Sequence, residues 1–365
     1  MKQSGKKRLS ISLAVVVLPL YLVFLAGYGV ALLAPSVSPL RTHIPALFNL
    51  AFGILLLFLL FFLVYFLFHW RKALFLLLFH LLLIVLTWGC ITAYFPLNPF
   101  GGLEEKRDLR VMTYNAEHFS RRLTKDSEPY VVGVVRAYRP DIVCLQESAS
   151  LKALRKYFGE EYPYIAANAA KGLGLLSKYP ILESHPVEYE SYTNGSESYL
   201  IEIEGRRLLL INNHLQSYGL TVGEKDKYRG YIEEIRPKQF LEQIREVVGR
   251  LAPDMNLRAK AAEATRKDLE RSRAEHLPDY TLVVGDFNDT PNSFVYSVMK
   301  GGDLRDAYRE TGFGPGISYN EKFLPFRIDH ILYDGDLEAA GGLIPWNREA
   351  SDHNPVLIDF NLGQK

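Results

Sequence analysis

The stretch Thr281-Leu-Val-Val-Gly-Asp-Phe-Asn288 decides how most of this chain folds. It opens with a β-branched and leucine-rich run, which is typical of an interior β-strand, and a glycine closes the run. A carboxylate and an amide follow at once, at Asp286 and Asn288. Polar side chains directly after such a strand indicate a site, because ligand sites of α/β proteins form where strand ends converge.

The same pattern recurs on both sides of this stretch, through residues 98–365. Helices are predicted between strands, over Pro129–Tyr138 and Leu151–Phe158. Strands that alternate with helices are typical of a layered α/β domain. The other predicted strands are Leu109–Asn115, Asp141–Gln146, Gly174–Leu176, Tyr199–Ile203, Arg207–Asn212, Arg327–Tyr333 and Pro355–Phe360.

An insertion interrupts this alternation at about residues 218–279. It is charged and helix-prone, with helical segments expected over Phe240–Val248 and Leu257–His276. One interpretation is a pair of helices that covers one face of a sheet and turns its charges to solvent. A second is that the loop Gly219–Pro237 projects over the site and shapes substrate choice. The two interpretations can hold together.

Polar residues lie at or next to most of the predicted strands, and they close, follow or directly precede them. They are Asn115, Glu147, Asn213, His214, Asp286, Asn288, Asp329, His330, Asp352 and His353. Asn, Asp and Glu offer hard oxygen ligands of the kind that Mg²⁺, Mn²⁺ or Ca²⁺ prefers. The sequence lacks the cysteine-rich and three-histidine patterns of zinc sites. His330 is expected to be structural, because it points to the opposite face of the strand from its neighbour Asp329.

The first 97 residues differ in composition, because they contain no Asp or Glu and hold three uncharged apolar runs. Each run is about as long as the ~20 residues that cross a bilayer core. Hydrophobic residues occupy every face of these runs, which excludes ordinary amphipathic surface helices. We therefore predict a transmembrane region over residues 1–97, with helices at about 11–34, 45–69 and 73–96, and a catalytic domain over residues 98–365.

Basic residues predict the orientation of this region. The cluster Lys2–Arg8 precedes the first run, Arg71-Lys72 separates the second run from the third, and such clusters stay cytoplasmic. Three crossings then put the catalytic domain on the outer face of a bacterial plasma membrane. A cleaved signal peptide is the alternative, although the first run is long and Ala31-Leu-Leu-Ala34 matches a cleavage site poorly. His80, inside the third run, is expected to bond to a neighbouring helix.

Charge is distributed unevenly along the chain. Residues 1–97 hold seven of the 42 Lys and Arg and none of the 41 Asp and Glu, which leaves residues 98–365 with a net charge of about −6. This acidity lowers the expectation of tight binding to extended nucleic acid, although a local basic cleft would suffice for a nuclease. The two cysteines, Cys90 and Cys144, are not expected to form a disulfide.

Six short motifs together resemble the endonuclease/exonuclease/phosphatase superfamily. In order they are Thr113-Tyr-Asn115, Leu145-Gln-Glu147, Asn213-His-Leu215, Gly285-Asp-Phe-Asn288, Arg327-Ile-Asp329 and Ser351-Asp-His-Asn-Pro355. Each motif is weak alone, and the ordered set is specific. The resemblance runs from about Leu109 to Phe360. It implies a four-layer α/β sandwich, with two packed mixed β-sheets flanked by helices, after the three transmembrane helices.

The resemblance implies a divalent metal ion, Mg²⁺ or Mn²⁺, and no organic cofactor. Glu147 looks like the main metal-binding carboxylate, with Asn115 beside it and Asp352 as a further ligand. The ion would bind a phosphate oxygen, neutralise developing charge and stabilise the leaving oxyanion.

The resemblance also implies a catalytic set. Its members are His214, Asp286, Asn288, Asp329 and His353. Asp286 resembles the residue that orients or deprotonates the attacking water, and Asn288 the one that holds the phosphate. His353 resembles a catalytic imidazole that Asp329 orients. His214 resembles a second imidazole that contacts the phosphate or protonates the leaving group, and the sequence names no partner for it.

These residues predict an Mg²⁺-dependent hydrolase, anchored in a membrane, that cleaves a phosphodiester or phosphomonoester by in-line attack of water. The substrate could be a lipid head group, which a membrane anchor would favour, or extracytoplasmic nucleic acid cut by an endonuclease. Apurinic endonucleases have a tyrosine at the position that His214 occupies in this chain. The sequence therefore resembles the deoxyribonuclease, sphingomyelinase and phosphatase branches more closely. A catalytically inactive binding module of the same fold is a further alternative. No protein partner is inferred.

Overall fold

The computed structural model describes residues 16–120, 123, 128–192, 194–233, 240–320 and 325–363. A group of apolar helices precedes an α/β domain with two β-sheets. The helices are α1 Leu18–Leu32, α2 Ile44–Leu50, α3 Phe52–Phe68, α4 Trp70–Leu86, α5 Trp88–Tyr94, α6 Tyr130–Tyr138, α7 Leu151–Phe158, α8 Val222–Glu233, α9 Phe240–His276, α10 Phe294–Lys300 and α11 Ala307–Thr311.

The strands form two mixed sheets of six strands each. They are β1 Leu109–Asn115, β2 Ile142–Gln146, β3 Tyr164–Asn168, β4 Leu173–Ser177, β5 Ile181–Pro186, β6 Gly195–Ile203, β7 Arg206–His214, β8 Tyr280–Asp286, β9 Arg305–Asp306, β10 Asp329–Gly335, β11 Leu337–Leu343 and β12 Val356–Leu362. Their orders are β11-β12-β1-β2-β4-β3 and β5-β6-β7-β8-β10-β9. The pairs β1–β2 and β7–β8 are parallel, so each needs a crossover, which α6 provides in the first sheet and α8 with α9 in the second.

The two sheets pack face to face around a shared apolar core. Along β1, Leu109 and Val111 belong to the core between the sheets, and Met112 and Tyr114 belong to the cluster under α6 and α7. Helices α9 and α10 cover the outer face of the second sheet. Interior strands are thus buried on both faces, which explains their nearly continuous apolar sequence. The prediction of two packed mixed sheets flanked by helices is confirmed.

The second and third apolar runs each form a bent pair of helices rather than one straight helix. The bend between α2 and α3, at Ala51, is 67°, and the bend between α4 and α5, at Thr87, is 63°. Thr87 donates its hydroxyl to Leu83 O at 2.8 Å, a contact that bends helices. Among the described residues no single helix is long and apolar enough to cross a membrane, and the two bent pairs meet the criteria of length and composition only when both helices of a pair are taken together. The three transmembrane helices stay a prediction, and residues 1–15 lie outside the described residues.

The N-terminal helices pack on one another around aromatic side chains and one histidine. His80 is fully buried, and its two ring nitrogens lie 2.9 Å from Tyr21 Oη and 2.9 Å from Leu59 O. Both partners belong to neighbouring helices, as expected from the sequence. Cys90 and Cys144 are free.

The insertion contains two helices whose bounds differ from the prediction. Helix α9 continues through Pro253, so the two segments predicted there form one helix. A proline crowds the preceding turn and removes one hydrogen bond. Packing on both sides of the proline holds the helix together, because Leu251 before it and Met255 after it are buried. Residues 222–233 are helical where one interpretation had a loop over the site, and residues 234–239 lie outside the described part of the chain.

The N-terminal helices contact the α/β domain through buried polar groups. Asn49 of α2 is fully buried and donates to Thr290 Oγ1 at 3.0 Å and to Pro291 O at 3.3 Å. Asn292 donates to a backbone carbonyl of α5 at 2.8 Å, and Arg327 donates to another. Because unpaired buried polar groups are costly, these contacts fix the two parts of the chain against each other.

A buried ion pair connects β1 to β12 in the first sheet. Arg110 donates from Nε to Asp359 Oδ1 at 2.6 Å and from Nη2 to Asp359 Oδ2 at 2.8 Å. The same guanidinium donates to Tyr138 O at 2.9 Å, at the end of α6. Asp359 is fully buried, so its charge depends on this two-point contact.

We expect Asp359→Ala to lower the free energy of unfolding by about 3–5 kcal/mol, because it leaves the Arg110 charge buried and unpaired. Glu161→Ala breaks the exposed pair with Arg136, whose N–O distance is 2.7 Å, and should cost only about 0–1 kcal/mol. Denaturant unfolding of the full chain in detergent, followed by far-ultraviolet circular dichroism, measures both. Equal losses in the two variants would contradict the role given to the buried pair.

Candidate active site

Strand pairing brings five of the predicted site residues to one edge of the domain. In the second sheet His214 pairs with Asp286, and Asp286 pairs on its other side with Asp329. In the first sheet Asn115 lies in register with the residue that precedes Glu147. The parallel strands β1, β2, β7 and β8 end at this edge, so their terminal polar residues converge there.

Asn115 connects the two sheets at this edge. Its Nδ2 donates to Glu147 Oε1 at 3.2 Å and to Asp286 Oδ2 at 3.1 Å. Its Oδ1 accepts the backbone N–H of Glu117 at 3.2 Å, and the residue is 2% exposed. Glu147 follows a strand of the first sheet and Asp286 ends a strand of the second. One amide therefore holds a carboxylate from each sheet.

Glu147 has a left-handed backbone conformation, with φ 45°. That conformation costs a non-glycine residue about 1–2 kcal/mol and occurs where surrounding contacts hold it, often at functional sites. The N–H of His118 donates to Glu147 O at 2.8 Å. The carboxylate is 31% exposed, and its Oε2 lies 3.5 Å from His118 Nε2. Glu147 is thus fixed by its backbone while its side chain stays open to solvent.

Asp329 and His353 form a buried pair. His353 Nδ1 lies 2.8 Å from Asp329 Oδ2, and their side chains are 5% and 1% exposed, respectively. Burial lowers the pKa of His353, but the charges of Asp329 and Asp286 outweigh it and raise the pKa to about 10. His353 is therefore an imidazolium at neutral pH and donates its Nδ1–H to Asp329.

Asp286, the last residue of β8, is an unusually weak acid for a carboxyl group. Burial and then the charge of Asp329 raise its pKa to about 7, against the opposing effects of His353 and the Asn115 hydrogen bond. The backbone N–H of Asn288 donates to Asp286 Oδ1 at 2.8 Å. A carboxylate with a pKa near neutrality can exchange a proton with water at physiological pH.

His214 lies at the same edge with the opposite titration behaviour. Burial, reinforced by the charge of His353, lowers its pKa to about 3, so the ring is neutral. Its Nε2 lies 3.8 Å from Asp286 Oδ2 and 3.9 Å from Glu147 Oε1, beyond hydrogen-bond distance. Within the described residues this buried nitrogen has no hydrogen-bond partner. It is available to a ligand between the two carboxylates.

The remaining predicted residues lie around this group. Asn288 is half-buried, with φ 51°, and its Nδ2 donates to Leu215 O at 3.0 Å. Asp352 is half-buried beside His353, and its N–H donates to Glu117 Oε2 at 3.1 Å. His330 is buried, with Nε2 3.0 Å from Asp289 O, which agrees with the structural role expected for it.

Three residues that the sequence analysis did not single out support the site. His118 lies beside Glu147, Ser318 Oγ accepts the N–H of Asp329 at 3.0 Å, and Ser351 Oγ donates to Asn115 O at 2.7 Å. His118 follows a strand-end residue by three positions, and Ser351 opens a quoted motif, so both carried a signal. Ser318 lies in a loop without a motif, and its role depends on tertiary contact.

The donor set of this edge fits a hard divalent cation. Among the described residues, ligand atoms of Asp286, Asp329 and His353 lie within 4.8 Å of one another. Asp329 Oδ1 is buried without a hydrogen-bond partner, which suits a cation ligand. Carboxylate and amide oxygens, including those of Glu147 and Asn115, are the donors that Mg²⁺ or Mn²⁺ prefers.

Asp329→Asn tests the charge balance of the metal-free site. Because the pKa of His353 is higher in the folded state than in the unfolded state, its protonation stabilises the fold. This stabilisation is complete below about pH 6.5, the pKa of an unfolded-state histidine, and it is lost as the pH rises toward about 10. From about pH 7 to about pH 9 the wild-type free energy of unfolding should fall, by up to roughly 1 kcal/mol per pH unit. The free energy of unfolding of Asp329→Asn, which lacks the negative charge beside His353, should fall less over the same pH range. Urea unfolding in the presence of a chelator measures this difference.

Asp334→Asn, on the exposed end of the same strand, is the matched control. Asp334 pairs with Arg273 at 3.0 Å and is 41% exposed, so the variant should keep the wild-type slope. Identical slopes in wild type and Asp329→Asn would show that this carboxylate does not hold the proton on His353.

A comparison with solved structures finds similar chains at low sequence identity. An endonuclease/exonuclease/phosphatase from Beutenbergia cavernae is 18% identical, with a TM-score of 0.47, and the match covers 71% of this chain and 72% of that one. Truncated TDP2 of Caenorhabditis elegans is 16% identical, with a TM-score of 0.48 and coverage of 69% and 97%. The human Nocturnin catalytic domain is 18% identical, with a TM-score of 0.46 and coverage of 70% and 94%. These similarities carry no argument about substrate.

Family membership rests on the sequence itself. A search of curated proteins finds no match. The model of the Endonuclease/Exonuclease/phosphatase family matches residues 112–353, more than half of the chain, and this segment contains the converging residues from Asn115 to His353. Members of this family are hydrolases of phosphate esters and typically depend on a divalent metal. The chain therefore belongs to the Endonuclease/Exonuclease/phosphatase family.

Proposed function

We propose that this chain is a membrane-anchored, divalent-metal-dependent phosphodiesterase that hydrolyses lipid head groups in its own bilayer. The observation that carries the catalytic part is the convergence of Glu147, Asp286 and His353, from both sheets, around the amide of Asn115. His353 Nε2 lies 3.8 Å from Asp286 Oδ2, close enough for both to contact one phosphate.

Each side chain has a task that its surroundings favour. A bound Mg²⁺ or Mn²⁺, held by Glu147 with Asn115 and Asp352, would neutralise charge on a phosphate oxygen. Asp286, with a pKa near 7, accepts a proton from the attacking water. Water then forms the new bond to phosphorus as the ester oxygen leaves.

The imidazoles complete the proton transfers. The imidazolium of His353, oriented by Asp329, gives a proton to the leaving oxygen. The neutral ring of His214 contacts the phosphate through its free Nε2, and Asn288 holds the phosphate beside Asp286. The reaction consumes one water and releases an alcohol and a phosphate monoester.

Membrane attachment is supported by the surface of the N-terminal helices. Large apolar side chains on this surface are strongly exposed, among them Val23 at 72%, Phe68 at 83% and Phe75 at 79%, and a lipid environment would cover them. Trp70 and Trp88 begin two consecutive apolar helices, α4 and α5, and tryptophans are enriched at the two interfaces of a bilayer.

The lipid substrate is supported by the edge at which the two parts of the chain meet. Asn49 bonds to Thr290, four residues after Asp286, and the backbone of α5 accepts from Arg327, two residues before Asp329. The N-terminal helices thus contact the edge of the second sheet that carries the site. If these helices lie in a bilayer, the site lies next to its surface. A phosphate ester in that surface can reach it without leaving the membrane.

The chemistry predicts metal-dependent turnover of bis-(p-nitrophenyl) phosphate by the full chain in detergent. A chelator should abolish this turnover, and Mg²⁺ or Mn²⁺ should restore it. His353→Gln and Glu147→Gln should each lower kcat/KM by at least about 10²-fold, because they remove a proton donor and a metal ligand.

Two variants of the same type control for substitution itself. His276→Gln, at the end of α9, and Glu161→Gln, on the surface near α7, should keep wild-type activity. Chelator-resistant turnover, or full activity in both site variants, would refute the proposed chemistry.

The lipid assignment predicts a difference between two vesicle populations. The full chain is reconstituted into vesicles of head-group-labelled phospholipid, or into unlabelled vesicles mixed with protein-free labelled ones. Head-group release should be at least about tenfold faster in the first case, because the site is tethered to its own bilayer. The rate of bis-(p-nitrophenyl) phosphate hydrolysis in each preparation normalises the amount of active enzyme.

His353→Gln in the labelled vesicles shows whether release comes from this site. Equal rates in the two mixtures, or faster cleavage of plasmid DNA than of any lipid, would overturn the lipid assignment. In either case the p-nitrophenyl assay would still report on the phosphodiesterase chemistry.

A further inference from the structure

A cavity of about 530 Å³ lies where helix α5 meets the α/β domain. Trp88 and Thr92 line it from α5, and Lys300, Arg305 and Arg309 line it from the segments around α10 and α11. None of the residues assigned to the catalytic edge lines this cavity. It is a separate space that both parts of the chain help to build.

The acidic residues of this cavity are already compensated. Asp306 is 1% exposed, and its Oδ2 lies 3.4 Å from Arg327 Nη1, inside the domain. Glu310 accepts a hydrogen bond from the Tyr333 hydroxyl and lies 3.9 Å from Arg305 Nη1. Both carboxylates therefore have partners that offset their charge.

Two cations of this cavity have no acidic partner among the residues that the structure describes. Arg309 Nη2 donates to the neutral hydroxyl of Thr92 at 3.1 Å. Lys300, the last residue of α10, makes no ion pair with any residue that the structure describes. An arginine and a lysine at one cavity suit an anion with several acceptor oxygens, such as a phosphate.

Apolar surface adjoins these cations on the side of the N-terminal helices. Val85 and Leu86, just before the cavity residue Trp88, are 69% and 73% exposed, and Trp88 itself is 50% exposed. Leu97, which also lines the cavity, is 45% exposed. A ligand that matches both features has a negatively charged head and apolar tails. Tryptophan and basic residues together are typical of the interface of an anionic membrane.

We propose that this cavity binds the phosphate of an anionic phospholipid from the surrounding bilayer, with the acyl chains against α4 and α5. The bound lipid would hold α5 on α11, because Thr92 and Arg309 face the same space. The proposal rests on the membrane attachment proposed above and is independent of the catalytic chemistry.

Fluorescence of Trp88 gives a local measurement. Trp70→Phe and Trp346→Phe leave Trp88 as the only tryptophan of the full chain. The chain is reconstituted into phosphatidylcholine vesicles that contain equal amounts of brominated phosphatidylglycerol or brominated phosphatidylcholine, since bromine quenches tryptophan at short range. We expect phosphatidylglycerol to bind beside Trp88 about fivefold more tightly, which is the effect of about one basic side chain at an anionic lipid surface.

Lys300→Glu should reduce this preference to about onefold, and the matched Lys267→Glu, on the exposed side of α9, should leave it at about fivefold. No preference in the Trp88 protein, or a preference that Lys300→Glu leaves intact, overturns the proposal.

Addition of inorganic phosphate at about 10 mM and constant ionic strength distinguishes a lipid phosphate from a soluble phosphate as the ligand. Relief of quenching by free phosphate would identify a soluble anion and overturn the lipid assignment, and no relief supports it. Wild-type turnover of bis-(p-nitrophenyl) phosphate confirms that each protein is folded.

Discussion

The amide of Asn115 is the contact on which the rest of the site depends. It donates to Glu147 on the first sheet and to Asp286 on the second, so it fixes the separation of the two sheets where the site forms. Parallel pairing on each side of the core aims the strand ends at the same edge. Without a donor between them, the partly exposed carboxylate of Glu147 and the buried carboxylate of Asp286 would repel each other, and the sheets would carry two half-sites rather than one.

The opposite behaviour of the two site histidines follows from this geometry. Both rings are buried, which lowers the pKa of each. Only His353 has a carboxylate at hydrogen-bond distance, from Asp329, and it keeps its proton. His214 lies 3.8 Å from Asp286, beyond that distance, and the neighbouring imidazolium disfavours a second charge. One histidine thereby holds a proton and the other stays neutral, although the sequence gives both the same residue type.

The sequence predicted the interior of the fold well and its periphery poorly, for a physical reason. The strand Leu109–Asn115 has the predicted bounds, because interior strands require continuous apolar side chains. Strands β3, β5 and β11 are edge strands with partly exposed residues. Their sequences lack a continuous apolar run, so they were not predicted. The bends at Ala51 and Thr87 were also missed, since each depends on contacts within and between helices. The site residues came from motifs, whereas the pairing of Asp329 with His353 could be measured only in three dimensions.

The N-terminal helices contact the α/β domain beside the site and help to hold that part of the domain in place. Arg327 is 3% exposed and donates to α5, and the strand that it precedes begins with Asp329. Asn49 is a fully buried amide in an otherwise apolar helix, and its partner Thr290 lies in the loop that follows Asp286. A fragment that lacks the helices would leave Thr290 and Arg327 without these partners and would expose the surface on which the helices pack. The helices therefore help to support this edge of the domain, and a rigid support of this kind keeps the converging polar residues at a fixed distance from whatever surface the helices occupy.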